Sequence, residues 1–240
     1  MIVSWFSCGN NSAVASKIAI DTYEDVVIAR CVIDNEHTDN ERFHDDAEHW
    51  FGQPILRLRS TEFKDCWEVW EKRRYISGIK GAPCTSEMKK AVRWAFEREY
   101  QPTHQVFGYS FDETKRAKQF RDNNPDVKLL TPLIDWEITK PQCAEWIMGA
   151  GIIQPVMYGL GFANNNCICC AKATSITYWA RCRHFFPEQF QRMSELSRRL
   201  GCRLTRLKGT RIFLDEIPLD IDWHKKDRGT IGCGLLCEAS

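Results

Sequence analysis

Little in this chain is unbalanced enough to announce a partner. Thirty-three basic residues face 32 acidic ones, a formal net charge of +1, so no global field draws the protein onto nucleic acid or a membrane surface. Runs of like charge are short. Lys72-Arg73-Arg74, Lys89-Lys90, Arg198-Arg199 and Lys225-Lys226 alternate with acids and read as solvated helix faces. No apolar run is long enough to span a bilayer. Met1-Ile2-Val3-Ser4-Trp5-Phe6 is not a basic segment followed by an apolar one, so no secretory leader is expected. Internal repeats and low-complexity tracts are lacking, as is the Gly-Lys-Ser/Thr of a Walker phosphate loop. These absences lead us to expect a cytoplasmic globular protein with no membrane partner. A locally basic stretch (Arg203, Arg206, Lys208 and Arg211) leaves a weak nucleic-acid contact open.

What the chain has in excess is cysteine. Twelve are too many for a cytosolic protein unless some bind metal, because a reducing compartment disfavours structural disulfides and favours thiolate ligands. Cys167-Ile168-Cys169-Cys170 contains a Cys-x-x-Cys bite, and thiolates at that spacing reach adjacent corners of one metal or iron–sulfur site. Cys84, Cys233 and Cys237 stand alone. Cys31, Cys66, Cys143 and Cys202 lie in apolar or helical contexts and are expected to be packing residues.

Strand and helix patterns alternate through about residue 151. Strands are expected at 2–7, 25–33, 54–58, 105–109 and 129–134, with helices over 12–20, through Trp50 and Phe51, over 61–76 and over 112–123. Thr139 and Gln142 have capping-box spacing, with Gly151 closing that helix. This order argues for an α/β fold, an open and mostly parallel sheet with helices on both faces. Beyond it, a Gly/Asn-rich loop leads into the cysteine knot, then a helix over 187–200 and a short strand pair. The expected organisation is therefore a nucleotide-binding α/β domain at 1–155 and a cysteine-rich α+β region at 156–240. In such sheets ligands sit beyond the carboxyl ends of the strands. Those ends carry Ser7, Asp34, Gly108-Tyr109 and Ile134-Asp135.

The first of these ends has the most chemistry. A glycine-containing strand-to-helix turn exposes backbone N–H groups, and the helix that follows adds a positive dipole, so the pair can cradle a phosphate or sulfate. Ser7, Cys8, Gly9, Asn10, Asn11 and Ser12 form this turn, with hydroxyls at Ser7 and Ser12 as further donors. Ser7-Cys8-Gly9-Asn10-Asn11-Ser12-Ala13-Val14 resembles the Ser-Phe-Gly-x-x-x-Ala-Val of the phosphoadenosine phosphosulfate (PAPS) reductase family, within the adenine-nucleotide alpha-hydrolase-like superfamily. Pyrophosphatase members carry Ser-Gly-Gly-x-Asp-Ser instead. Asn11 stands at their Asp, and an amide is the weaker Mg²⁺ ligand, which argues against magnesium-assisted ATP cleavage.

The resemblance runs along most of the chain. Asp34 with Glu36-His37 and Asn40 is similar to the family's second-strand motif, Cys84-Thr85-Ser86-Glu87-Met88-Lys89 to its Cys-Thr-x-x-Leu-Lys element, and Gly108-Tyr109 with Asp112, Glu113 and Arg116 to its fourth-strand segment. Residues 158–190 resemble a block of phage- and prophage-type members. The resemblance implies an adenine nucleotide (PAPS, APS or ATP, with magnesium if ATP is used) held at the turn, with Asp34 at the ribose or a metal and Lys89 and Arg116 on phosphate or sulfate oxygens.

It also implies that Cys84 joins Cys167 and Cys170 as a third ligand. The fourth place lies among Cys233, Cys237, Cys169 and Cys182, with Cys237 preferred. Thiolates alone do not separate zinc from iron–sulfur, and the family favours a 4Fe–4S cluster, with zinc the alternative. Gly232-Cys233-Gly234-Leu235 keeps part of the reductases' C-terminal segment, whose cysteine attacks sulfur. Cys233 is thus the candidate nucleophile or a further ligand, with a thioredoxin-like donor to recycle it. Two rivals stand beside sulfonucleotide reduction: an ATP-dependent sulfurtransferase that adenylates a nucleic-acid or small-molecule acceptor, and a non-catalytic zinc-stapled nucleotide-binding protein. Asp34 also reads as a plain turn residue, and His37, His44 and His49 as exposed helix residues. The sequence does not set the oligomeric state.

Overall fold

A computed structural model describes residues 1–78 and 81–225. Strand β1 (Ile2–Trp5) alternates its side chains between two layers. Ser4 Oγ meets Ser16 Oγ of helix α1 (Asn10–Thr22) at 2.8 Å, while Trp5 packs edge-on against Phe96 of the helix Ala91–Tyr100, with ring centroids 5.5 Å apart. Alternation with both faces covered is what a central parallel strand requires. Strand β2 (Val26–Cys31) pairs with β1 on one side, followed by helix α2 (Asp39–Phe51) and strand β3 (Ile55–Leu58). Strands β4 (His104–Val106) and β5 (Leu129–Leu130) extend the other side, giving the all-parallel order β3-β2-β1-β4-β5. The expected open α/β sheet is present, and its strand order reverses between β1 and β4.

Local differences have local causes. The strand expected at 129–134 stops after two residues because Pro132 opens the short helix Pro132–Asp135, where its missing N–H is harmless. The helix expected over 61–76 starts only at Cys66, where Asp65 accepts from Glu68 N at 2.9 Å as its N-cap, and it stops where Arg74 turns left-handed with φ 49°. The Thr139–Gln142 capping box forms and starts the helix Lys140–Gly149.

The chain divides into two compact units. The first comprises Met1–Val32, Thr38–Arg59 and Ala91–Val156 and holds the sheet around a core of Phe6, Val14, Ile28, Phe43, Val106 and Ile147. The second comprises Ile33–His37, Ser60–Lys90 and the chain from Met157 onward. One crossing falls beside the boundary expected at residue 155. The other four bracket Ile33–His37 and Ser60–Lys90, the segments that follow β2 and β3, and place them in the cysteine-rich unit.

That second unit is α+β. It contains α3 (Cys66–Arg73), α4 (Pro83–Thr85) continuing as a π-helical turn Ser86–Lys90, the helices Ile176–Phe185 and Pro187–Arg199, and an antiparallel hairpin of β6 (Thr205–Leu207) and β7 (Thr210–Ile212). Its core joins Trp67, Trp70, Trp179 and Met193 to Cys66, Cys167, Cys169, Cys170 and Cys182. Among the described residues no helix is long and apolar enough to cross a membrane.

Candidate functional site

The turn after β1 is held by one hydroxyl. Ser12 Oγ accepts from Ser7 N at 3.0 Å and from the Ser7 hydroxyl at 3.1 Å, and donates to Gly9 O at 2.9 Å. The Ser12 hydroxyl thus bonds within the turn itself. Gly9 is the N-cap of α1 and supplies no side-chain oxygen, and the first turn carries no acidic residue. The amides of Asn10, Asn11 and Ser12 are those that an α-helix leaves without intrahelical acceptors, and the helix dipole adds partial positive charge there. Asn10 Nδ2 donates to Gln154 Oε1 at 2.7 Å, which fixes its side chain. Cys8 is fully buried at φ 55°, a left-handed position at which glycine would pay no steric penalty, and its thiol points to Asn40 O at 3.6 Å.

Gly108, at the carboxyl end of β4, lies against the same turn in the same unit. Arg116, in the same segment, bonds Glu113 Oε1 through Nη1 at 2.5 Å, and its guanidinium lies over the Tyr109 ring at 5.5 Å. Asp34 and Lys89 belong to the second unit, Lys89 buried in the π-helical turn. His44 departs from the exposed position expected of it and is fully buried, 6.2 Å from the Phe6 ring centroid to centroid. Its Nε2 with Asp45 and Glu48 forms a group of ligand atoms within 4.8 Å of one another, but the Arg30 and Arg57 charges acting on His44 oppose a cation there. His49 is exposed, as expected, and the His37 ring packs on Phe186 at 5.8 Å.

In the second unit Cys66 meets two other cysteines. The Cys66 thiol is in hydrogen-bond contact with the thiols of both Cys167 and Cys84, and these two neighbours, with burial, push it well above the usual cysteine range. Backbone clips hold the loops in place. Asn35 accepts from Cys66 N through Oδ1 at 2.7 Å and from Ile168 N through its carbonyl at 2.8 Å, so one residue ties the start of α3 to the Cys167 loop. The Tyr178 hydroxyl accepts from Cys170 N at 2.8 Å and donates to Cys167 O at 3.5 Å, closing the Cys-x-x-Cys loop from within. Cys169 is turned by a left-handed backbone (φ 54°), and its buried thiol is hydrogen-bonded to Cys182. Cys84 is half-buried at the start of α4, behind Pro83.

This donor set fits a thiophilic metal or cluster. Sulfur is its only ligand type, Cys66, Cys167 and Cys170 are buried in an aromatic core while Cys84 is half-buried, and the crowding that disfavours several thiolates is relieved by a bound cation, which deprotonates coordinating thiols outright. Cys66, expected as a packing residue, lies in the core and also meets Cys84 and Cys167, a meeting the sequence does not signal. Its neighbours Trp67 and Trp70 marked a packing face, and no short-range spacing links it to Cys84 or Cys167. Cys233 and Cys237 lie outside the described residues.

The sequence matches no protein-family profile and no curated relative. Among solved structures it is similar to the phosphoadenylyl-sulfate (PAPS) reductase from Candida auris, determined as a phosphate complex. The TM-score is 0.49 and the identity 9%, over 69% of this chain and 80% of that one.

Proposed function

We propose that this chain is an enzyme of sulfur metabolism that binds an adenine nucleotide and reduces a sulfonucleotide, in the manner of the PAPS reductases. The observation that carries the reading is the uncapped start of α1 at the point where the strand order reverses between β1 and β4. Doubly wound sheets bind nucleotides at that crevice. The amides of Asn10–Ser12 would donate to the phosphosulfate or phosphate oxygens, and the Ser12 hydroxyl would keep the turn in register for them. Asn11, a poor magnesium ligand, favours a sulfonucleotide over ATP.

Cys84, Cys167 and Cys170 would hold a 4Fe–4S cluster, with zinc the alternative. A bound cluster would supply a redox-active, charge-dense centre, whereas zinc would supply structure and Lewis acidity. In the reaction itself the Cys233 thiolate would attack the sulfur of PAPS or APS. A sulfur–sulfur bond forms, the bond from sulfur to the phosphate oxygen breaks, and the nucleotide leaves as its phosphate. A dithiol donor of the thioredoxin kind would then release sulfite and emerge as a disulfide. Incubating anaerobically purified protein with PAPS or APS and a thioredoxin tests this. Sulfite and the nucleotide phosphate should appear in equal amounts, with no product from Cys233→Ser. Conversion of ATP to AMP would point instead to a sulfurtransferase. Failure to bind any of the three nucleotides would overturn the reading.

A further inference from the structure

We propose that Cys66 is a ligand of the metal centre, completing with Cys84, Cys167 and Cys170 a four-cysteine set contained in one compact unit. The inference rests on reading these thiols as a metal centre, and it moves the fourth place from the tail cysteine Cys237 to the start of α3.

Three observations carry it. First, Cys66 is the sulfur that touches both others, in hydrogen-bond contact with Cys84 on one side and Cys167 on the other. Thiols are weak donors and weak acceptors, so a buried sulfur–sulfur–sulfur contact gains little as hydrogen bonding. It gains much when the sulfurs share a metal. Second, the chain positions Cys66 from outside. The amide of Cys66, at the first position of α3, donates to Asn35 Oδ1, while the Asn35 carbonyl takes the amide of Ile168 beside Cys167. One residue thereby ties together the backbone at Cys66 and the backbone beside Cys167, the supporting role that outer-shell groups play around metal sites. Third, the two cysteines nearest in sequence that could compete are engaged: Cys169 is rotated into contact with Cys182, at a left-handed backbone position. Cys66, Cys167 and Cys170 are all at least nine-tenths buried, in a core that also holds Trp67, Trp70 and Trp179. Two segments inserted after β2 and β3 are what bring Asn35, Cys66 and Cys84 into the unit of the Cys-x-x-Cys loop.

The test reads metal, not turnover. Full-length wild type, Cys66→Ala and Cys237→Ala are purified anaerobically, reconstituted with ferrous iron and sulfide or with zinc, and assayed for metal per chain and for the rate of loss to a chelator. The expected result is one filled site in wild type and Cys237→Ala, with at least a tenfold loss of bound metal or a tenfold faster release in Cys66→Ala. Equal content and release in Cys66→Ala, with loss in Cys237→Ala, overturns the assignment while leaving a metal centre in place. A wild type that takes up neither metal overturns both the assignment and the reading beneath it.

Should Cys66→Ala not fold, iodoacetamide labelling of native wild type decides. Chelation should raise the modification rate of Cys66 at least tenfold relative to Cys143, which lies in the other unit and whose thiol burial pushes up to about 12. An unchanged ratio overturns the assignment.

Discussion

Gly108 and Ser12 are so close that no side chain fits between them. A Cβ on Gly108 would lie 2.7 Å from both the Cα and the N of Ser12, and 2.8 Å from the carbonyl carbon of Asn11. These are backbone atoms of the first turn of α1, so they cannot swing aside as the end of a flexible side chain would. The loop after β4 and the helix after β1 are thus in direct backbone contact, at the two strands between which the sheet order reverses.

Gly108→Ala should therefore displace the start of α1. Overpacking of this kind costs about 1–3 kcal/mol. The amides of Asn10–Ser12 would also move relative to any bound anion. Isothermal titration with PAPS or AMP should show at least a tenfold weaker association than wild type. Unchanged affinity would mean that the nucleotide does not use this turn.

Ser12→Ala removes the acceptor for Ser7 N and for the Ser7 hydroxyl together. Leaving a partly buried amide without a partner costs about 1–3 kcal/mol. The denaturant midpoint should fall accordingly, and nucleotide affinity with it. Ser12→Thr, which keeps the oxygen, should retain most of the affinity. A Ser12→Ala protein as stable as wild type would show that water replaces the hydroxyl at no loss.

The sheet was legible because its signals are local: apolar runs, turn residues and capping spacings each act within a few residues, and Thr139–Gln142 behaved as its spacing implies. The strand-to-helix turn was legible for the same reason, since Ser7 through Ser12 are contiguous. What the sequence concealed depends on long-range meetings. Gly108 meets Ser12 across 96 residues, and Cys66 meets Cys167 across 101, distances over which periodicity carries no information. The spacings of His37, His44 and His49 suit no compact ligand set and point to exposed helix residues, yet the His44 ring falls on the helix face shared with Phe43 and Ala47, both buried. The crossings at residues 33–37 and 60–90 were hidden likewise, because a strand followed by a helical segment has the same local pattern whichever unit receives the helix.

Asn35→Ala should loosen the thiol cluster without touching a sulfur. It leaves Cys66 N without its acceptor, and if the cysteines hold a metal the loss should appear as faster release to a chelator, by about tenfold, the lower end of the range for outer-shell partners. Asn35→Asp keeps the accepting oxygen and should restore a near-wild-type release rate. Equal release from wild type and Asn35→Ala would show that the cluster is set by its own packing alone.

His44 gives the first unit an acid-sensitive element. Burial holds its pKa below the ordinary histidine value, with the Arg57 and Arg30 charges acting the same way, while Glu48 and Glu41 oppose them. The unfolded chain binds a proton at this ring near pH 6.5, and the folded chain does so only at lower pH. Below about pH 6.5 the unfolded state therefore carries more protons, so stability falls as pH drops through that value toward the depressed folded one. Glu41 acts in a lower window. Burial raises its pKa, but the Arg57 hydrogen bond and the Arg30 and Arg57 charges outweigh this, and it stays ionised at pH 5. Urea midpoints measured at pH 7.5 and pH 5 should consequently differ more for wild type than for His44→Gln, which cannot take up the proton. Parallel losses in the two proteins would place the acid sensitivity elsewhere in the chain.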